Sequence, residues 1–483
     1  MHGHVTEAEF LAGISGLLGC YYLALALMNV GAALHGWSVR RSGARNARQP
    51  RWRAENPYLW LLVALLFIVL ASISLGRFAA TPRGADLLPL ADETAASLGR
   101  LTAPAESLLT LPGALRRFLD RLMGPLVFCA GTMIGLSGMF WFRTFFVKPV
   151  VAWSLLNVSL LAMGLSITDP DFARIVTKPD NVAIVSMVFL LGFFTWLSAC
   201  KAVQNDERLA RGEEPLESLD REKVLVWPDL VYIELICMVA LTALLIVWAI
   251  VLKAPLEEPA SVVNTPNPSK APWYFVGLQE MLYYFEPWMA GVVLPSLIIF
   301  GLMAIPYLDC NEQGNGYYTI HQRKFAYLVF QFGFLVLWIT LILLGTFMRG
   351  PNWTFFGFYE AWDVHKVQPQ TNINLSRYVW VEWLGAGLPQ APEGAGAVRR
   401  FATAFWRELP GIFFLTLYFA ALPSGLAVWS KLFREMYAKM GFLRYVVMVL
   451  LLLTMVILPL KMVAVWTLAL QYLVSFPEYG VNF

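Results

Sequence analysis

The stretch LVYIELICMVALTALLIVWAIVL, residues 230–252, decides the fold class, because it runs with a single charged side chain, Glu234. Wound as an α-helix at 1.5 Å per residue it covers about 34 Å. A bilayer's hydrocarbon core is roughly 30 Å thick. Comparable runs occur at 9–34, 57–76, 122–142, 149–168, 181–200, 289–308, 325–348, 411–431 and 445–470, which makes about ten candidate transmembrane helices. The last run contains Pro459 and Lys461 and is expected to be kinked, tilted or broken. Composition agrees: the 483 residues are 58% hydrophobic and 14% charged, with mean hydropathy +0.59. Soluble domains carry about 25% charged residues, so lipid must replace much of the water around this chain. The expected fold is an all-α polytopic membrane helix bundle. A net charge of +3 gives no reason to expect nucleic acid. The first run is long and has no basic region before it, so it is not read as a cleavable signal peptide.

Cations mark the inner loops. Residues 35–56 hold Arg40, Arg41, Arg45, Arg48, Arg51 and Arg53, and 201–229 hold Lys201, Arg208, Arg211, Arg221 and Lys223. Residues 432–444 add Arg434, Lys439 and Arg444. The positive-inside rule makes these loops cytoplasmic and puts both termini on the outer, electropositive side. The chain then divides into a five-helix membrane extension (1–200), a charged cytoplasmic linker (201–225), a three-helix unit (226–353), an outer loop (354–410) and a two-helix extension (411–483). Residues 386–400, rich in Gly, Ala and Pro, read as flexible. No internal repeat is visible, which weighs against a secondary transporter.

Cys20, Cys129, Cys200, Cys237 and Cys310 are scattered, without a CxxC or CxxCH. That excludes attached c-type haem and argues against a zinc or iron–sulfur site. His2, His4, His35, His321 and His365 lie at the N-terminus, at the end of a span or in loops. None sits inside an apolar run, so the chain is expected to hold no bis-histidine haem and no metal.

One loop differs from the others. After Glu257 and Glu258 come Asn264-Thr-Pro-Asn-Pro-Ser-Lys and Ala271-Pro272-Trp273-Tyr274-Phe275. Its prolines keep the approach extended, and Pro272 suits the first turn of a helix. A helix over 272–286 would carry Tyr274, Leu278, Met281, Leu282 and Phe285 on one apolar side. Trp273, Gly277, Glu280 and Tyr284 would share another face. Such a helix could wall a flat apolar pocket with a carboxylate beside it, and a partly desolvated carboxylate accepts a proton near neutral pH. That chemistry suits quinols. The plainer alternative is an interfacial aromatic belt.

Four motifs stand in order across 226–353. They are Trp227-Pro228-Asp229-Leu230, Ala271-Pro272-Trp273-Tyr274-Phe275, the run Leu294-Pro295 to Ile305-Pro306-Tyr307-Leu308, and Arg349-Gly350-Pro351-Asn352-Trp353. This stretch resembles subunit IV of cytochrome b/f-type complexes, equivalent to the C-terminal half of cytochrome b. The resemblance implies a haemless subunit of a quinol:cytochrome c oxidoreductase, acting in bifurcated electron transfer coupled to proton translocation. It implies quinol of the menaquinone or ubiquinone type as substrate. It also implies a haem-bearing cytochrome b N-terminal-type subunit, a Rieske iron–sulfur protein and a cytochrome c-type acceptor as partners. A dimeric complex in a bacterial-type cytoplasmic membrane, in contact with its lipid, completes the expectation.

The family's Pro-Glu-Trp-Tyr motif is altered here, since its glutamate falls on Pro272 and its proline on Ala271. Glu280 and Glu286 become the candidate proton acceptors, and Pro272, Trp273, Tyr274, Phe275 and Leu278 the candidate quinol-binding residues. Asp229 and Glu234 mark a possible inner-side proton or quinone site, where Glu234 could instead pair with Arg221 or Lys223. Arg349 reads as an interfacial anchor, and His321 and His365 as surface residues. Two other readings stay open: a haemless quinol-binding anchor of a different oxidoreductase, and a membrane transporter.

Overall fold

In the computed structural model of the protein, residues 7–41, 56–87, 92–219, 223–251, 259–263, 265–367 and 371–483 are described. Glu257, Glu258, Asn264, Arg221 and the arginines of 42–55 lie outside them. Long helices dominate: α1 (Glu7–Arg41), α2 (Pro57–Ala79), α3 (Pro125–Trp141), α4 (Pro149–Ser166), α5 (Pro179–Ala210) and α6 (Val226–Val251). They continue as the short α7 (Trp273–Tyr284), then α8 (Met289–Leu308), α9 (Lys324–Met348), α10 (Ala397–Trp429) and α11 (Lys431–Leu468). Among the described residues nine helices are long and apolar enough to cross a membrane, or up to ten if one bent pair counts as a span. The expected all-α polytopic membrane bundle is the fold observed.

The bent pair sits at the third expected span. Residues 97–122 and 125–141 meet at 87°. The helix Gly113–Leu122 carries Arg116, Arg117, Asp120 and Arg121 and turns aside, and Pro125 begins α3. The charge-dense segment after residue 200, read as a surface helix or linker, begins as helix, with 201–210 forming the last turns of α5, and α10 begins at Ala397, inside the stretch read as flexible. Asp206 and Asn205 tie the end of α5 to the loop before α9, through Thr319 Oγ1, His321 N and Tyr318 O. The break in the last helix falls at Gly441 (φ 75°, ψ 173°), a left-handed conformation that glycine adopts freely, and the helix runs on through Pro459.

Packing sorts the helices. α1 and α2 form an antiparallel pair in which Gly16 faces Phe78 and Gly19 faces Leu75. A polar lock holds α1 to α4: Asn29 Nδ2 donates to Asn157 Oδ1 (2.6 Å), and Trp153 Nε1 donates to Asn29 Oδ1 (3.0 Å). The largest core cluster joins α5, α7, α8, α9 and α11 through Ile184, Tyr284, Ala290, Leu344 and Val465. The segments flanking the middle third are therefore built into its core. α6 stands apart, since nearly all of its side chains are exposed among the described residues.

Candidate functional site

The Pro-rich approach and the end of α9 are stitched together. Asn352 N donates to Asn267 Oδ1 (2.7 Å), and Lys270 Nζ donates to the Thr346 carbonyl (2.7 Å). Gln279 on α7 reaches back, accepting from Ala271 N and donating to the Ser269 carbonyl. These bonds fix where α7 starts. Pro272 caps it, and α7 proper begins at Trp273.

α7 then packs on α9 through glycines. A Cβ at Gly277 would stand 3.3 Å from Ile342 Cγ1, and one at Gly345 would collide with Val276. The close approach buries Val276, Gly277, Glu280, Met281 and Tyr284. Glu280 is 0% exposed, so it is no solvated surface carboxylate. Its Oε1 accepts from Arg349 Nη2 (2.9 Å) and from the Tyr284 hydroxyl (2.8 Å). Its Oε2 accepts from Trp353 Nε1 (3.1 Å) and Arg349 Nε (3.3 Å).

Arg349 is 2% exposed, which corrects its reading as an interfacial anchor. Its guanidinium also donates to the Trp353 carbonyl and lies over the rings of Phe355 (3.6 Å) and Tyr283 (4.4 Å). A buried ion is tolerated only when paired and hydrogen-bonded, and this cage supplies both conditions. Asn352 and Trp353 stand at φ 51° and 61°. Consecutive non-glycine residues in that region are strained; here Asn267 holds the first and Glu280 the second.

The structure separates residues that the sequence grouped. Tyr274, Phe275 and Leu282 are exposed and Leu278 is half-buried, while Glu280 is buried on the face turned toward α9. The aromatic face and Glu280 are thus on different sides of α7. Pro272 is exposed, and Trp273 is half-buried against the core, on the same side of α7 as Glu280. Glu286, half-buried beyond the end of α7, accepts from Asn482 N (2.9 Å), Asn482 Nδ2 (2.8 Å) and Trp288 Nε1 (2.8 Å). All three donors are neutral. Asp229 and Glu234 are exposed on the unpacked α6, and neither has an ion pair among the described residues. Lys461 is 3% exposed, donates to the Gln471 carbonyl and lies over the Tyr472 ring.

Sequence reasoning missed Lys270, Trp353 and Gly345. Burial, followed by the nearby Lys178 cation, pulls the Lys270 ammonium down from 10.5 to about 8; the Glu280 carboxylate acts in the opposite direction. Between about pH 8 and 10.5 the unfolded chain binds a proton that the folded chain lacks, so stability rises with pH there. Below about pH 8 the burial penalty is fully present. A Lys270→Gln variant is expected to flatten the stability curve across that window, as followed by thermal unfolding at stepped pH. An unaltered slope would place the titration elsewhere.

Fold and site define a multi-pass, predominantly helical membrane protein with a short aromatic helix clamped to the end of a long one. Within it, residues 259–362 match the family model described as cytochrome b (C-terminal)/b6/petD, and they form a cytochrome b C-terminal-type domain. The match begins after α6 and takes in α7, α8, α9 and the Arg349–Trp353 turn. No solved structure matches the chain.

Proposed function

We propose that this chain is the haemless cytochrome b C-terminal-type subunit of a quinol:cytochrome c oxidoreductase, with α7 walling the quinol-oxidation site. One observation carries the reading. The family match takes in a helix whose Tyr274 and Phe275 stand exposed, with Trp273 and Leu278 half-buried beside them, while its other face is locked into the core. A flat ring bound there exchanges water for aromatic surface. On this reading both termini lie on the outer side of a bacterial-type cytoplasmic membrane, as does α7.

Oxidation of a quinol releases two electrons and two protons. The electrons pass to groups carried by partners, a Rieske-type cluster and haem b, since this chain's histidines offer no facing pair within a span. This chain's own share is to hold the ring and take a proton. The exposed Phe275 and Leu282, with half-buried Leu278 between them, lie on the way to Glu286, which sits beyond the end of α7 and accepts from neutral donors. We assign proton acceptance to Glu286. Glu280, with four donors and a paired guanidinium, is assigned as the positioning carboxylate that holds α7. Asp229 and Glu234, open on α6, are left for the haem-bearing partner to cover.

The intact complex tests this. Tyr274→Ala and Phe275→Ala are each expected to raise the KM for quinol roughly tenfold, the equivalent of about 1.4 kcal/mol of lost ring contact. Glu286→Gln should displace the pH–rate profile. Unchanged quinol kinetics in both aromatic variants would remove α7 from the site. A b-type absorbance on this polypeptide isolated alone would overturn its haemless character.

A further inference from the structure

A cavity of about 1590 Å³ lies where the N-terminal helices meet the cytochrome b-type domain. α1, α3, α4, α5 and α9 all contribute to its wall. Small-molecule pockets are usually about 300–1,000 Å³, so a compact ligand would leave this one largely unfilled. Along α9 the wall runs from Lys324 to Phe347, about 35 Å of helix. Its shape calls for a long, flexible, apolar occupant.

Charge identifies the head of that occupant. Among the described residues no aspartate or glutamate lines the cavity, and the charged side chains there are Arg143 and Lys324, with His35 also on the wall. Both cations converge on one ring, the Arg143 guanidinium 5.3 Å and the Lys324 ammonium 6.0 Å from the centre of Phe140. Arg143 also donates to the Phe140 carbonyl (3.2 Å), which fixes it at the rim. Neither has an ion pair with a carboxylate among the described residues. At the opposite end the polar atoms are already paired, Ser166 Oγ with the Tyr359 hydroxyl at 2.7 Å. Two like charges gathered at one mouth of an apolar chamber are complementary to an anion with a hydrocarbon tail.

We propose that this cavity is a built-in site for an anionic phospholipid, its phosphate held between Arg143 and Lys324 and its acyl chains lying along α9. The lipid would complete the packing between the N-terminal helices and the cytochrome b-type domain. The site lies at the far end of α9 from Arg349, so it is independent of the quinol-site reading.

The test uses the complex purified from its own membrane and exchanged into nanodiscs of phosphatidylglycerol and phosphatidylcholine, with native mass spectrometry of retained lipid. The expected result is a tightly held phosphatidylglycerol, preferred over phosphatidylcholine by roughly tenfold on the strength of two cations. Arg143→Gln/Lys324→Gln should abolish the preference. The charge-preserving Arg143→Lys/Lys324→Arg pair should keep it, which separates lost binding from lost folding. Equal retention of the two lipids, or preference unchanged in the glutamine pair, would overturn the proposal. So would a quinone or a peptide segment recovered from the site in place of lipid.

Discussion

Glu280→Gln is expected to destabilise the protein by about 3–5 kcal/mol, the usual cost of removing one member of a buried ion pair. The reason lies with what remains. Arg349 would be left 2% exposed with no anion, between two aromatic rings that satisfy its faces but not its charge. Tyr284 and Trp353 lose less, because the glutamine oxygen still accepts from the indole and the tyrosine hydroxyl can accept from the amide. The deficit should therefore follow the orphaned charge. Adding Arg349→Met to Glu280→Gln is expected to recover most of the loss, since replacing a whole buried pair with apolar volume is often close to neutral. Thermal unfolding of the intact complex reads the difference between single and double variants. A single variant that unfolds with the wild type would mean that the pair contributes nothing. The same variant also separates positioning from proton transfer: the double variant, refolded around α7, should keep the wild-type pH–rate profile. A displaced profile would return Glu280 to the proton path.

That pair shows where sequence reading stops. The spans were legible because a bilayer demands about 20 apolar residues in a row, and local composition alone reports them. The aromatic helix was legible because Pro272 and the spacing behind it are local too. The Glu280–Arg349 contact joins residues 69 apart in the chain, one in a short loop helix and one ending a span. Nothing in either neighbourhood announces the other. Helical periodicity correctly placed Glu280 and Tyr284 on one face, but it could not say whether that face met ligand or core. The 87° bend before α3 was hidden for a different reason. Leu122, Met123, Leu126 and Val127 read as one apolar run, and the backbone turn between them leaves hydropathy unchanged. The cavity's Arg143 and Lys324 stand at the ends of apolar runs, where a cation looks the same whether it faces water or a chamber.

Gly345→Ala is the second large effect, and its sign is set by two opposing terms. In a helix, alanine is favoured over glycine by roughly 0.5–1 kcal/mol. Against that, the new methyl would run into Val276 Cγ1, with the Val276 carbonyl 3.4 Å away and Glu280 Cβ 3.7 Å away. Overpacking a well-fitted contact costs typically about 1–3 kcal/mol, so the clash outweighs the propensity gain and the variant should be destabilised. The obstacle is chiefly one side-chain methyl, so Val276→Ala in the same chain should relieve it. The backbone of α7 can respond to the unrelieved variant only by lifting away from α9. Lifting lengthens the three bonds that Arg349 and Trp353 give Glu280, leaving the Tyr284 bond within α7, and shifts the Tyr274–Phe275 face relative to whatever closes the site. Quinol turnover is therefore expected to fall in Gly345→Ala and to return in Gly345→Ala/Val276→Ala, whereas a variant that is destabilised but fully active would show that the α7–α9 contact supports the fold without setting the site.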